Sequence, residues 1–134
     1  MKEKIIRFPY KIYKGELYPI IRVQMKGPGG YLETEAYVDS GASVSIFLAT
    51  IASDLGIDYI KGKITYTMVG DGSFIPVYLH TIPIKLGHIS FPATIGFSSH
   101  LGADFNLIGQ KDCFDRFIIS FDKKSGVISF SPYK

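Results

Sequence analysis

The residues best suited to chemistry in this chain are Asp39-Ser40-Gly41-Ala42. An apolar-alternating stretch, Leu32-Glu33-Thr34-Glu35-Ala36-Tyr37-Val38, leads to the acid and reads as a strand that ends on it. A β-branched run, Val44-Ser45-Ile46-Phe47, follows the loop. A carboxylate walled by apolar residues is costly to keep ionised. The cost is offset where small neighbours let backbone N–H groups reach its oxygens, and Ser40, Gly41 and Ala42 are small. Asp39 is therefore a candidate reactive carboxylate, a group able to take or give a proton. Asp, Ser and Gly also build ordinary turns. The flanking Ala36, Val38, Val44, Ile46 and Phe47 distinguish this loop from a surface turn.

Such a group needs a packed body to hold it. The chain has 134 residues, 46% of them hydrophobic, with 9 Tyr and 10 Phe, so it can bury a core without staples. One domain, residues 1–134, is expected. With 14 Gly and 7 Pro spread between short apolar runs, strands are favoured over a helical bundle. The single Cys113 excludes an internal disulfide and suits a reducing compartment. The net charge of +3 is scattered, with Lys123-Lys124 the only adjacent pair, which argues against nucleic-acid binding. No run reaches transmembrane length and Met1 to Arg7 has no apolar segment, so a soluble, cytoplasmic protein without a membrane partner is expected.

Along the chain, Leu17 to Met25 reads as a strand with Pro19 marking an edge, and Lys26-Gly27-Pro28-Gly29-Gly30 turns it into the strand that reaches Asp39. Ala49 to Leu55 reads as a short helix stopped by Gly56. Ile64 to Val69 and Phe74 to Leu79 form a hairpin around Gly70-Asp71-Gly72-Ser73, with Pro76 keeping the second arm at an edge. Thr81 to Leu86, Ile89 to Phe97 and Phe105 to Gly109 are further strands, and Gln110 to Phe114 reads as one or two helical turns. Phe117 to Phe121 and Val127 to Phe130 make a final hairpin. No repeat or linker interrupts them.

In this order, three features resemble the landmarks of the retropepsins, the single-lobe aspartic proteases that include the retroviral enzymes. Asp39-Ser40-Gly41-Ala42 is similar to the family's Asp-Thr/Ser-Gly-Ala loop. The hairpin tip Val69-Gly70-Asp71-Gly72-Ser73 sits where the family has its flap. Leu107-Ile108-Gly109 resembles the hydrophobic-hydrophobic-Gly signature that packs beside the loop. The similarity runs from about Leu17 to Phe130. It implies an all-β fold: a closed or partly open β-barrel of the acid-protease type, with one or two short helices and a flap hairpin. By resemblance, Asp39 is the catalytic acid, supported by Ser40, Gly41 and Ala42, and the flap closes over an extended peptide. No metal and no cofactor is implied. Many retroviral members carry an ion pair between an Asp two places after the loop glycine and an Arg directly after the second glycine. Here those positions are Ser43 and Gln110, and both charges are absent together. That is the coherent way to lose the pair, because one buried charge left alone is expensive.

An aspartic protease needs two carboxylates, one to activate water and one to protonate the scissile carbonyl. None of Asp54, Asp58, Asp71, Asp104, Asp112, Asp115 and Asp122 is followed by Ser-Gly or Thr-Gly. The expectation is thus a C2 homodimer that hydrolyses peptides or unfolded protein, one Asp39 from each copy. The rival expectation is a catalytically weak or inactive dimerisation or peptide-binding module on the same fold. Other chemistries lack their parts. Gly41-Ala42-Ser43-Val44-Ser45 misses the closing glycine of a nucleophile elbow, and His80, His88, His100 and Cys113 have no metal-ligand spacing. Gly70-Asp71-Gly72 lacks the third glycine of a dinucleotide loop.

Overall fold

The structure is a computed structural model that describes residues 4–102 and 105–133. In chain order the strands are β1 (Ile6–Pro9), β2 (Lys11–Tyr13), β3 (Glu16–Tyr18), β4 (Ile20–Gly27), β5 (Gly30–Val38) and β6 (Ser45–Leu48). A short helix, α1 (Ala49–Asp54), and a single turn at Tyr59–Lys61 follow. Then come β7 (Lys63–Met68), β8 (Phe74–Leu86), β9 (Ile89–Ser98), β10 (Asn106–Ile108), β11 (Phe117–Asp122) and β12 (Val127–Pro132). The chain is all-β in class, as the sequence implies.

Seven strands form one sheet in the order β4-β5-β10-β6-β9-β8-β7. Because β4 also pairs with β8, through Gln24↔Lys85 and Met25↔Ile84, the sheet closes on itself as a ring. Only β7 hangs outside that ring, carried on β8. The closure follows from alternation: Ile21, Val23 and Met25 of β4 and Ala36 and Val38 of β5 are buried, while Arg22, Glu33 and Glu35 face out. Phe47, Phe97, Phe117 and Phe130 fill the largest fully buried positions. A second, smaller apolar cluster of Val44, Ile46, Ile75, Val77 and Leu101 lies between the loop strand β6 and the β7–β8 hairpin.

Several elements differ from the sequence reading. The strand expected from Leu17 to Met25 is broken at Pro19, which ends β3 and leaves β4 to begin at Ile20. Proline has no N–H to give a ladder, and the Pro19 carbonyl instead accepts from Val38 N–H at 2.9 Å. The two strands expected on either side of His80 are one, β8. Residues 74–77 of β8 pair with β7 alone and residues 80–86 with β9, so Pro76 does lie on a stretch with one neighbour. The helical turns expected at Gln110 to Phe114 are present as one wide turn, in which the Asp115 N–H donates to the Gln110 carbonyl at 3.0 Å, but it is kinked, with Lys111 at ψ 127° and Asp112 at φ 65°. Asp112 turns aside because its Oδ2 accepts the Thr94 N–H at 2.7 Å. The expected α1 is present, and Gly56 closes it at φ +77°, where a side chain would be strained. The N-terminal strand β1, unforeseen, pairs with β12, so both ends of the chain meet in a three-stranded sheet of order β1-β12-β11. Among the described residues no helix is long and apolar enough to cross a membrane.

Candidate active site

Strand β5 delivers Asp39, and strand β10 fixes it. β10 lies between the strands that enter and leave the loop, parallel to β5 (Leu107↔Tyr37, Ile108↔Val38) and antiparallel to β6 (Leu107↔Ile46). The Asp39 N–H donates to the Ile108 carbonyl at 2.9 Å, extending that ladder to the acid. The loop then turns tightly: Ala42 N–H donates to the Asp39 carbonyl at 3.2 Å, and Gly41 N–H to Asp39 Oδ1 at 2.9 Å. The offset anticipated for the carboxylate, a backbone donor admitted by small residues, is the bond from Gly41. The loop's walls Ala36, Val38, Ala42, Val44, Ile46 and Phe47 are buried, whereas Asp39 itself is half-buried and opens outward.

The structure brings Leu107-Ile108-Gly109 against this loop. A Cβ on Gly109 would stand 2.6 Å from the carbonyl oxygens of both Ala42 and Val44, so only glycine allows the approach. Beyond it, Gln110 N–H donates to the Ala42 carbonyl at 2.8 Å and Lys111 N–H to the Ser43 carbonyl at 3.1 Å. The Gln110 side-chain Nε2 donates to the Ser40 carbonyl. The two segments are therefore tied by backbone bonds and a neutral amide where many retroviral members have an ion pair.

Two residues that sequence reasoning passed over complete the tie. Buried Ser45 accepts the Gly109 N–H on Oγ at 2.9 Å. Buried Asn106 accepts the Leu48 N–H on Oδ1 at 2.9 Å and donates through Nδ2 to the Glu35 carbonyl at 2.9 Å, stitching β6 to β5 across β10. Leaving such groups unmatched costs about 1–3 kcal/mol each. The signal was a polar residue inside each apolar run, Val44-Ser45-Ile46 and Phe105-Asn106-Leu107, since a buried polar side chain must find partners.

Asp39 opens into a cleft of ≈ 650 Å³. Asp39, Gly41 and Ala42 line one side, Ile46 and Leu107 the sheet beneath, Leu101 and Gly102 a third side, and Thr67 to Asp71 the side formed by the β7–β8 hairpin. Of the expected site residues, Asp39, Gly41, Ala42, Val69, Gly70, Asp71 and Leu107 share this cleft. Ser40, Gly72, Ser73, Ile108 and Gly109 do not line it, and the last two act from behind the loop. Among the described residues the walls are mainly apolar, with Asp39, Asp71 and Thr67 as the lining residues with polar side chains. Such a groove suits a chain whose side chains are apolar and whose backbone is extended.

The hairpin tip carries its own order. Val69 N–H donates to the Ser73 carbonyl at 2.9 Å and Gly72 N–H to the Val69 carbonyl at 2.8 Å. Asp71 Oδ1 accepts from the Ser73 hydroxyl at 2.6 Å and the Ser73 N–H at 2.9 Å. The hydroxyl first, then the N–H, hold the Asp71 carboxyl below its ordinary value. A depressed carboxylate supports its turn above the ordinary value, and that support is lost as pH falls through the lowered one. Ser73→Ala is expected to move the Asp71 titration up toward the ordinary carboxylate range, read by NMR of its side-chain carbonyl carbon. A titration that stays in place would show that the serine does not hold the acid.

Two other candidate side chains, His80 and Cys113, are occupied elsewhere. His80 Nε2 bonds the Tyr59 carbonyl oxygen at 2.8 Å, and its ring packs edge-on against Phe97. Burial pushes the Cys113 thiol up to about 11, so it stays protonated 3.8 Å from Ser45 Oγ. Among the described residues no group of three or more His, Cys, Asp or Glu is placed to hold a metal ion.

Two solved structures share this architecture. A retropepsin-like aspartic protease from Rickettsia conorii is similar at a TM-score of 0.64 and 19% sequence identity, over 96% of this chain and 92% of that one. The EIAV protease, solved in complex with an inhibitor, is similar at a TM-score of 0.53 and 16% identity, over 73% of this chain and 86% of that one. The fold is that of the retropepsin-like aspartic proteases. No protein-family model matches the sequence, and no curated protein matches it.

Proposed function

We propose that residues 1–134 form a single retropepsin-like domain that works as a homodimeric aspartic endopeptidase, with Asp39 of each copy supplying one carboxylate. The observation that carries this reading is the placement of Asp39: a half-exposed carboxylate on a fixed loop, facing a hairpin across an apolar cleft. The fold shared with known proteases supports it. Two carboxylates about 4 Å apart at an effective dielectric of about 20 repel by about 4 kcal/mol, so the pair holds one proton in common. The ionised member draws a proton from water, which attacks the peptide carbonyl, and the protonated member gives its proton to the carbonyl oxygen, leaving a tetrahedral diol. The C–N bond then breaks as the amine takes the proton drawn from water, and a diol hydroxyl returns its proton to the other carboxylate as the new carboxyl group forms. No covalent intermediate forms. Ser40 hydrogen-bonds to the opposite loop, Gly41 and Ala42 leave room for substrate backbone, and the Val69 to Ser73 tip closes over the peptide and excludes water. Leu107, Ile108 and Gly109 keep the loop in place.

The test is digestion of an unfolded protein at mildly acidic pH, with and without a statine-type inhibitor. Cleavage that the inhibitor blocks is expected. Peptide binding without cleavage would overturn the enzyme reading in favour of a binding module. Because the site is complete only in the dimer, activity per chain is also expected to fall on dilution. A sedimenting monomer of undiminished specific activity would refute the shared dyad.

A further inference from the structure

One peptide unit, between Ser40 and Gly41, is held at both ends. Its carbonyl accepts from Gln110 Nε2, and its N–H donates to Asp39 Oδ1 at 2.9 Å. A trans peptide is planar, so its C=O and N–H point in opposite directions on one rigid plate. Fixing the carbonyl end therefore fixes the direction in which the N–H meets the carboxylate. Donation to the carbonyl also polarises the amide and makes its N–H a stronger donor.

Gln110 is itself well anchored. Its own N–H bonds the Ala42 carbonyl at 2.8 Å and the next N–H, from Lys111, bonds the Ser43 carbonyl at 3.1 Å. Gly109 just before it sits so close to the loop that no Cβ fits. The amide thus reaches Ser40 from a backbone already fastened on the far side of the same loop. Its neutrality matters as well. With Ser43 on the loop, no acid at that position balances a cation, and an amide gives a directed donor without bringing an unpaired charge.

We propose that Gln110 is a positioning residue for Asp39, acting through the Ser40–Gly41 peptide plate. The inference rests on Asp39 being the reactive carboxylate, but its physical link is measurable without any activity. In the full chain, Gln110→Met keeps the side-chain length and removes the donor. The Gly41 amide proton resonance is expected to move upfield in this variant, as its bond to Asp39 weakens. With peptide substrate, kcat is expected to fall about ten- to a hundredfold while KM stays within about twofold, the signature of a misaligned reacting group. A Gly41 resonance that does not move, or a loss confined to KM, overturns the proposal. If the wild-type chain hydrolyses nothing, the protease reading fails by itself, and the Gly41 resonance still decides whether Gln110 controls the carboxylate. Should Gln110→Met not fold, Gln110→Glu, which keeps the shape and when ionised cannot donate, carries the same two measurements.

Discussion

Asp39→Asn is expected to abolish peptide-bond hydrolysis, by at least about a thousandfold in kcat/KM, and to leave fold and self-association intact. The expectation of an intact fold comes from the loop's bonding. The amide oxygen of the substituted side chain would still accept the Gly41 N–H, and the backbone bonds from residue 39 to Ile108 and from Ala42 involve no side chain. The loss of activity comes from what an amide cannot do. It neither takes a proton from water at working pH nor gives one to a carbonyl oxygen, so a dyad of two amides is inert. The two substituted amides can hydrogen-bond to each other across the axis in place of the shared proton, so the dimer is expected to be no weaker. The measurement pairs turnover of a peptide substrate with sedimentation and circular dichroism on the same preparation. Retained turnover in a correctly assembled Asp39→Asn protein would end the aspartic-protease reading.

The sequence made this acid visible because the residues around it are locally unusual. Small residues at 40–42 beside an acid and between apolar runs are unusual for a surface turn, and the pattern is complete within sixteen positions, Leu32 to Phe47. The fastening of the loop was less legible, because β10 joins β5 and β6 from about sixty to seventy residues away. Only the resemblance of Leu107-Ile108-Gly109 to a known signature placed it there. A polar residue inside an apolar run marks Ser45 and Asn106 as groups that need partners, but those partners, like that of Gln110, are distant in the chain, so no local pattern names them.

Elsewhere, tertiary partners overrode local signals. His80 reads as a break between two strands, yet β8 runs straight through it because its backbone pairs with Ile95 of β9. Around that point β8 passes from β7, which pairs as far as Leu79, to β9, which pairs from Tyr78 onward, a change of neighbour that a one-dimensional pattern does not record. Gln110 to Phe114 keeps a wide helical turn, but it is kinked at Lys111 and at Asp112, whose carboxylate accepts the Thr94 N–H. Strands β1 and β2 span only four and three residues, too short for their alternation to stand out in the sequence; they are strands because β12 and β3 pair with them.

Gly109→Ala is expected to have the largest effect on stability of any single methyl added to the chain near the site. The backbone of Gly109 is extended, at φ −115° and ψ −164°, so alanine meets no conformational penalty there and the whole cost is steric. The new Cβ would lie 2.6 Å from the Ala42 and Val44 oxygens and 2.7 Å from the Val44 carbonyl carbon. All three are backbone atoms of the loop and of the strand leaving it, so no side chain can swing away to make room. Relief requires β10 to move off the loop, which pulls Gly109 N–H from Ser45, Gln110 N–H from Ala42 and the Ile108 carbonyl from Asp39. Overpacking of this kind costs about 3 kcal/mol, the upper part of its usual range, because the neighbours are fixed. For a chain of this length that corresponds to about 10 °C in Tm, and the displaced carboxylate should lose most of its activity with it. Gly70→Ala is the control: nothing lies within 4 Å of its added methyl, and its melting temperature is expected to match the unmodified chain at equal protein concentration. If Gly109→Ala melted together with Gly70→Ala, the contact between β10 and the Asp39 loop would not be the fastening that holds the acid.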